Sequence, residues 1–175
     1  MKKENRLRRN RREKSEKIFE ILQGHKIDPF EMRQLKERLK RARTIVYLGD
    51  NCGEIVFDRL LIETIRDRYD LDVIFVTRTL PVLNDATLQD ATSVGMEEVA
   101  QVAENGIAEP LPGTILDKVS PQVRTLMEGA DLIISKGGGN YDSLTEEERV
   151  KGRVTFLFQA KCYPYCSLHR LPLGG

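Results

Sequence analysis

Between Thr44 and Thr77 the chain runs apolar, then amphipathic, then apolar again, and that order leaves few ways to fold. Thr44–Leu48 reads Thr-Ile-Val-Tyr-Leu and stops at Gly49; Asp72–Thr77 reads Asp-Val-Ile-Phe-Val-Thr. Both are short, rich in β-branched and aromatic residues, and lack polar alternation, which predicts strands buried on both faces. The stretch between them, Glu54 to Tyr69, places Ile55, Leu60, Leu61, Ile62 and Ile65 on a mostly apolar face and predicts a helix. Strand, helix and strand within about 35 residues form a βαβ unit with parallel strands.

The rest continues the alternation. Helices are expected over Asn84–Ala91, Gly95–Ala103, Pro121–Met127 and Leu144–Val150, strands over Asp131–Ser135 and Val154–Gln159, and a turn at Asn105-Gly106. The expected architecture is a three-layer α/β/α domain with a mainly parallel, Rossmann-like sheet over residues 44–175, preceded by a basic helical segment over 1–43. That segment carries 16 Lys and Arg against 7 Asp and Glu, so a formal net charge of only +1 conceals an acidic remainder. Ile18, Phe19, Ile21 and Leu22 suit one short helical face ending at Gly24. Asp28, Pro29 and Glu31 then read as an N-cap, a first helical position and a capping box, followed by Met32, Leu35, Leu39 and Ala42 on one face. With only Phe19 and Phe30 as aromatics, this arm reads as solvated helix rather than a nucleic-acid binder.

No apolar run approaches the roughly 20 residues that span a bilayer, and the charged start has no signal-peptide core. Cys52, Cys162 and Cys166 are an odd number in a chain of this length, which argues for a reducing cytoplasm rather than a disulfide framework.

Ligands of open parallel sheets bind beyond the carboxyl ends of the strands, and three polar clusters fall there: Gly49–Glu54, Asn84–Thr87 and Ser135–Tyr141. Asp50 and Asn51 offer adjacent hard oxygen donors suited to Mg²⁺ or Mn²⁺, with Asp85 as a third; Asp50–Asn51 equally suits an Asx turn capping the next helix, and Asn84 or Asp85 a helix N-cap. Lys136, ending an apolar strand before three glycines, reads either as a phosphate cradle or as a solvated lysine in a turn. It is neither a Walker A loop nor a G-x-G-x-x-G fingerprint. Cys162 and Cys166, with His169 beyond, suit a soft metal less well than a strand end with two buried thiols. His25 and His169 are the only histidines, and no nucleophile–His–acid arrangement is evident.

Four segments together resemble the damage-control phosphatase family, long catalogued as a domain of unknown function. They are Leu48–Asp58 (Leu-Gly-Asp-Asn-Cys-Gly-Glu-Ile-Val-Phe-Asp), Leu83–Thr87 with Asp90-Ala91, Ile134–Gly137 with Asn140-Tyr141, and Ala160-Lys161-Cys162. The resemblance runs from about Ala42 to the C-terminus and is closest to the stand-alone prokaryotic and archaeal branch. It implies a metal-dependent phosphatase of small, damaged or surplus phosphometabolites. A divalent cation (Mn²⁺, Ni²⁺, Co²⁺ or Mg²⁺) would lie on Asp50, Asn51 and Asp85, with Asp50 and Lys136 catalytic. Gly53, Glu54, Thr87, Ser135, Gly137 and Asn140 would line the substrate. The chain departs from the family in its short N-terminal stretch without a cysteine pair, and in Gly138 where a glutamine is frequent. Two other functions fit parts of the sequence: a non-catalytic module that binds RNA or a protein through its basic arm, and an S-adenosylmethionine-dependent carboxyl methyltransferase.

Overall fold

The computed structural model describes residues 28–174. The expectations for the helix around Ile18–Leu22, for the basic arm before Asp28 and for His25 lie outside the described residues. The larger compact unit begins at Glu37, inside helix α1 (Pro29–Arg41). Asp28 caps this helix: its Oδ1 accepts from Phe30 N at 2.7 Å. Leu39 and Ala42 are buried.

Five parallel strands form one sheet in the order β3-β2-β1-β4-β5. They are β1 (Thr44–Leu48), β2 (Asp72–Thr77), β3 (Gln101–Glu104), β4 (Leu132–Lys136) and β5 (Val154–Leu157). The α/β expectation is met. The central strands are buried on both faces, as their unbroken apolar runs require. One face carries Val46, Leu48, Ile74, Val76 and Ile133, packed against Val123 and Met127 of α4 (Pro121–Gly129) and Leu144 of α5 (Gly138–Leu144). The opposite face carries Tyr47 and Phe75, whose rings stack at 5.5 Å, beside α2 (Ile55–Arg66).

The helix α2 buries Ile55, Asp58, Ile62 and Ile65, spaced on one stripe. Leu60, expected on that face, is instead exposed together with Val56 and Phe57. The Asn84–Ala91 helix starts later, as α3 (Leu88–Ser93). The cap is therefore Thr87, paired with Asp90, and not Asn84 or Asp85. A helix over Gly95–Ala103 is replaced by a single 3₁₀ turn, Met96–Glu98, followed by β3. The helix expected over Leu144–Val150 lies earlier, at α5, because the three glycines open a helix rather than a loose loop.

Past β5 the chain makes a short helix, α6 (Tyr163–His169). The expectation of two buried thiols at a strand end fails: Cys162 is exposed at the start of α6, and Cys166 within it is only half-buried. Among the described residues, no helix is long and apolar enough to cross a membrane.

Candidate functional site

The strand order reverses direction between β1 and β4, and in open parallel sheets such a switch point leaves a crevice beyond the strand ends. Asp50 follows β1 and Gly137 follows β4 across this crevice. Gly137 has φ of 79° and ψ of 164°, and a Cβ there would overlap the Asp50 carboxylate. The absence of a side chain at 137 is thus what lets Asp50 occupy its place.

The Asp50–Asn51 turn is stitched to the loop before α3. Ala86 N donates to Asp50 O at 2.7 Å and Cys52 N to Asn84 O at 2.8 Å. Asn51 and Asp85 form an isolated antiparallel bridge. The backbone therefore brings together all three residues expected to share a cation. Asn51 Nδ2 donates to Asp50 Oδ2 at 2.8 Å, so Asn51 turns its amide hydrogens toward Asp50, and its side-chain oxygen accepts no hydrogen bond among the described residues. Asp85 is buried, and its Oδ2 accepts from Arg78 Nε at 2.7 Å.

Burial pushes the Asp50 carboxyl up to about 6, and the neighbouring Asp85 and Glu54 carboxylates add to the effect against Arg78 and Lys136. Burial is the larger cause, and the crowding of carboxylates adds to it. Among the described residues no three His, Cys, Asp or Glu cluster as a metal site by themselves. The donor set here needs the Asn51 amide oxygen beside two carboxylates, which is hard oxygen chemistry suited to a Mg²⁺-like ion.

The other expected site residues fall in different circumstances. Lys136 ends β4, and its Nζ donates to Glu54 Oε1 at 2.9 Å and Asp58 Oδ1 at 2.8 Å. Gly53 is exposed, with open space where a Cβ would stand. The Thr87 hydroxyl donates to Asp90 Oδ2 at 2.7 Å and so closes the first turn of α3. Ser135 is fully buried on β4, its hydroxyl without a hydrogen-bond partner among the described residues. Asn140, also fully buried, gives its amide hydrogens to Gly49 O at 3.1 Å and Lys136 O at 2.7 Å. It thereby ties the end of β1 to the end of β4.

A family model described as the damage-control phosphatase ARMT1-like domain matches residues 5–174. The chain belongs to this family. It is 44% identical over 126 residues to an uncharacterized protein of Methanocaldococcus jannaschii, covering 71% of this chain and 40% of that one. Against a damage-control phosphatase of Pyrococcus horikoshii it is 36% identical over 143 residues, covering 82% and 48%. A damage-control phosphatase of Archaeoglobus fulgidus is 34% identical over 159 residues, with 82% and 54% covered. The crystal structure of a DUF89 family protein from Pyrococcus horikoshii superposes with a TM-score of 0.83 at 34% identity, covering 93% of this chain and 56% of that one. The chain spans about half the length of the curated relatives it matches.

Within this damage-control phosphatase domain, sequence reasoning missed the residue that organises the crevice. Arg78 is only 4% exposed. Its guanidinium reaches Asp85 Oδ2, Gly113 O at 2.6 Å, Thr114 Oγ1 at 3.1 Å and Asn140 Oδ1 at 3.1 Å. Thr114 also donates to Asn140 Oδ1, at 2.7 Å. The signal for Arg78 was present, since a charged residue directly follows the buried strand β2 at the ligand-binding edge. Asp58 was also legible, as a charge on the buried stripe of α2. Thr114 had no local signal.

Gly137→Ala is expected to destabilise the chain by at least about 2 kcal/mol, because alanine meets both an unfavourable positive φ and the Asp50 side chain. Urea denaturation measures this, and a change below half a kilocalorie would show that the crevice is looser than the geometry describes.

Proposed function

We propose that this domain is a metal-dependent phosphatase that hydrolyses esters of small phosphorylated metabolites. One observation supports this most: the Asp50–Asn51 turn and Asp85 come from separate loops, yet backbone hydrogen bonds lock them side by side at the switch point. The family membership and the relatives named as damage-control phosphatases support the same reading.

On this reading Asp50, Asn51 and Asp85 hold a divalent ion: Mn²⁺, Ni²⁺, Co²⁺ or Mg²⁺. Such an ion, when bound, neutralises charge that builds on the phosphoryl oxygens. Arg78 fixes one oxygen of Asp85, Oδ2, so the other would be the one to meet the ion. Lys136 supplies a second positive charge from the β4 side, where a phosphoryl group would displace part of its present anionic company. The open space at Gly53 leaves room for backbone to approach an anion, and Asn140 acts from behind by tying the ends of β1 and β4 together. Asp50 lies against Gly137 after β4 and is bonded through its backbone carbonyl to Ala86, and its carboxylate acts as ligand or as nucleophile.

The test is a screen of phosphate esters, from p-nitrophenyl phosphate to sugar and nucleoside monophosphates, with each of the four ions. Turnover with at least one ion, lost on adding a chelator, is the expected result. No hydrolysis of any ester with any ion sinks the proposal.

A further inference from the structure

Asp58 is a buried carboxylate that the phosphatase reading does not use. It is 3% exposed on α2, and one oxygen, Oδ1, takes two hydrogen bonds: from Tyr47 OH at 2.6 Å and from Lys136 Nζ at 2.8 Å. Its other oxygen is buried with no partner among the described residues. Lys136 has a second anionic partner, Glu54, whose side chain is 38% exposed against 3% for Asp58. One cation thus has a deep counter-ion, held also by Tyr47, and a shallow one at the solvent edge.

A buried pair of this kind is a poor stabilising device, because desolvating both charges offsets most of their attraction. The charges themselves reflect the competition. Burial would lower the Lys136 pKa, yet Asp58 and Glu54 outweigh it and hold the ammonium above its ordinary value. On Asp58, burial is the larger effect and raises the carboxyl despite Lys136 and Tyr47. The asymmetry of the two partners has a functional meaning if the ammonium must stay aimed while exchanging one contact.

We propose that Asp58, oriented by Tyr47, is a positioning residue that anchors Lys136, and that Glu54 is an exchangeable counter-ion which a substrate phosphoryl oxygen replaces. This deepens the phosphatase reading and rests on it for the identity of the incoming anion. It also makes the two carboxylates opposites. Removing the anchor lets the ammonium wander and weakens anion binding. Removing the exchangeable partner deletes a competitor and strengthens it. A purely structural ion-pair network would weaken in both cases.

The test titrates inorganic phosphate into the full chain by calorimetry, with and without Mg²⁺. Glu54→Gln is expected to bind phosphate about 3–10-fold tighter than the wild type, and Asp58→Asn about tenfold weaker or worse. Tyr47→Phe should weaken binding by a smaller factor, and the gain from Glu54→Gln should vanish in a Lys136→Ala background. Shifts of the same sign for Glu54→Gln and Asp58→Asn overturn the proposal, as does phosphate binding that ignores Lys136→Ala. Should Asp58→Asn not fold, Glu54→Gln at the exposed edge and Tyr47→Phe still decide: no tightening in the first, or no loss in the second, overturns it. Wild-type turnover is measured in parallel. The opposite-sign pattern without any hydrolysis overturns the phosphatase reading alone; hydrolysis without the pattern overturns the positioning roles alone.

Discussion

Replacing Arg78 with methionine is expected to remove about 3–5 kcal/mol of folding stability. Methionine roughly fills the volume, so the loss is not mainly that of a cavity. It comes from what stays behind. Asp85 is left as a buried carboxylate without its partner, and Gly113 O loses its guanidinium donor. Asn140 Oδ1 keeps only the Thr114 hydroxyl. Breaking one side of a buried pair strands a charge, whereas replacing both sides can be nearly neutral. Arg78→Met combined with Asp85→Leu should therefore recover much of the loss while still abolishing any cation binding. Urea denaturation at neutral pH gives both numbers. A single variant within about 1 kcal/mol of wild type, on the same principle, would mean that Asp85 reaches solvent more freely than its burial states.

Asp50→Asn is expected to drop phosphatase turnover to background, a loss of about a thousandfold or more, since both roles open to Asp50 need the carboxylate. The same substitution should make the metal-free protein more stable at neutral pH. The folded-state carboxyl is raised to about 6, above the unfolded value of roughly 4. A group raised in this way contributes stability that is fully present below about pH 4 and is lost as pH climbs through about 6. At pH 7 the wild type therefore holds an ionised Asp50 at a net cost, of order 1–3 kcal/mol for a partly buried group. Asparagine keeps the shape and the acceptor for Asn51 Nδ2 but carries no charge. Its advantage should appear at pH 7 and fade by about pH 4. Adding Mn²⁺ should reverse the order, because only the wild type gains binding energy from the ion. Wild-type-like turnover in the variant, or an advantage that grows toward acid, would contradict the electrostatic picture of the crevice.

The site was partly readable from the sequence. Asp50, Asn51 and Asp85 were legible because they follow buried strands, and the carboxyl ends of parallel strands face a common edge. Lys136 was legible for the same reason, but its engagement by Glu54 and Asp58 was not, since side chains 82 and 78 positions away decide it. The glycine segment was misread locally. Gly138 and Gly139 are poor helix formers, so a loop was the natural expectation. The helix α5 forms there all the same and passes close to Gly113, where any side chain would overlap the Gly139 carbonyl.

The amino-acid sequence by itself determined the class of fold. Its apolar runs within Thr44–Leu48, Asp72–Thr77 and Asp131–Ser135 cannot avoid water except between two layers of helices, and hydrophobic burial is blind to sequence distance. Tertiary structure alone decided β3, whose half-exposed Gln101–Glu104 has too little apolar character to declare itself and becomes a strand only by pairing with Ile74–Thr77. It alone also decided the Arg78 network, because hydrogen bonding and charge pairing are directional and short-ranged. Their partners exist only once residues 78, 85, 113, 114 and 140 have been carried to one place by the packing of the sheet.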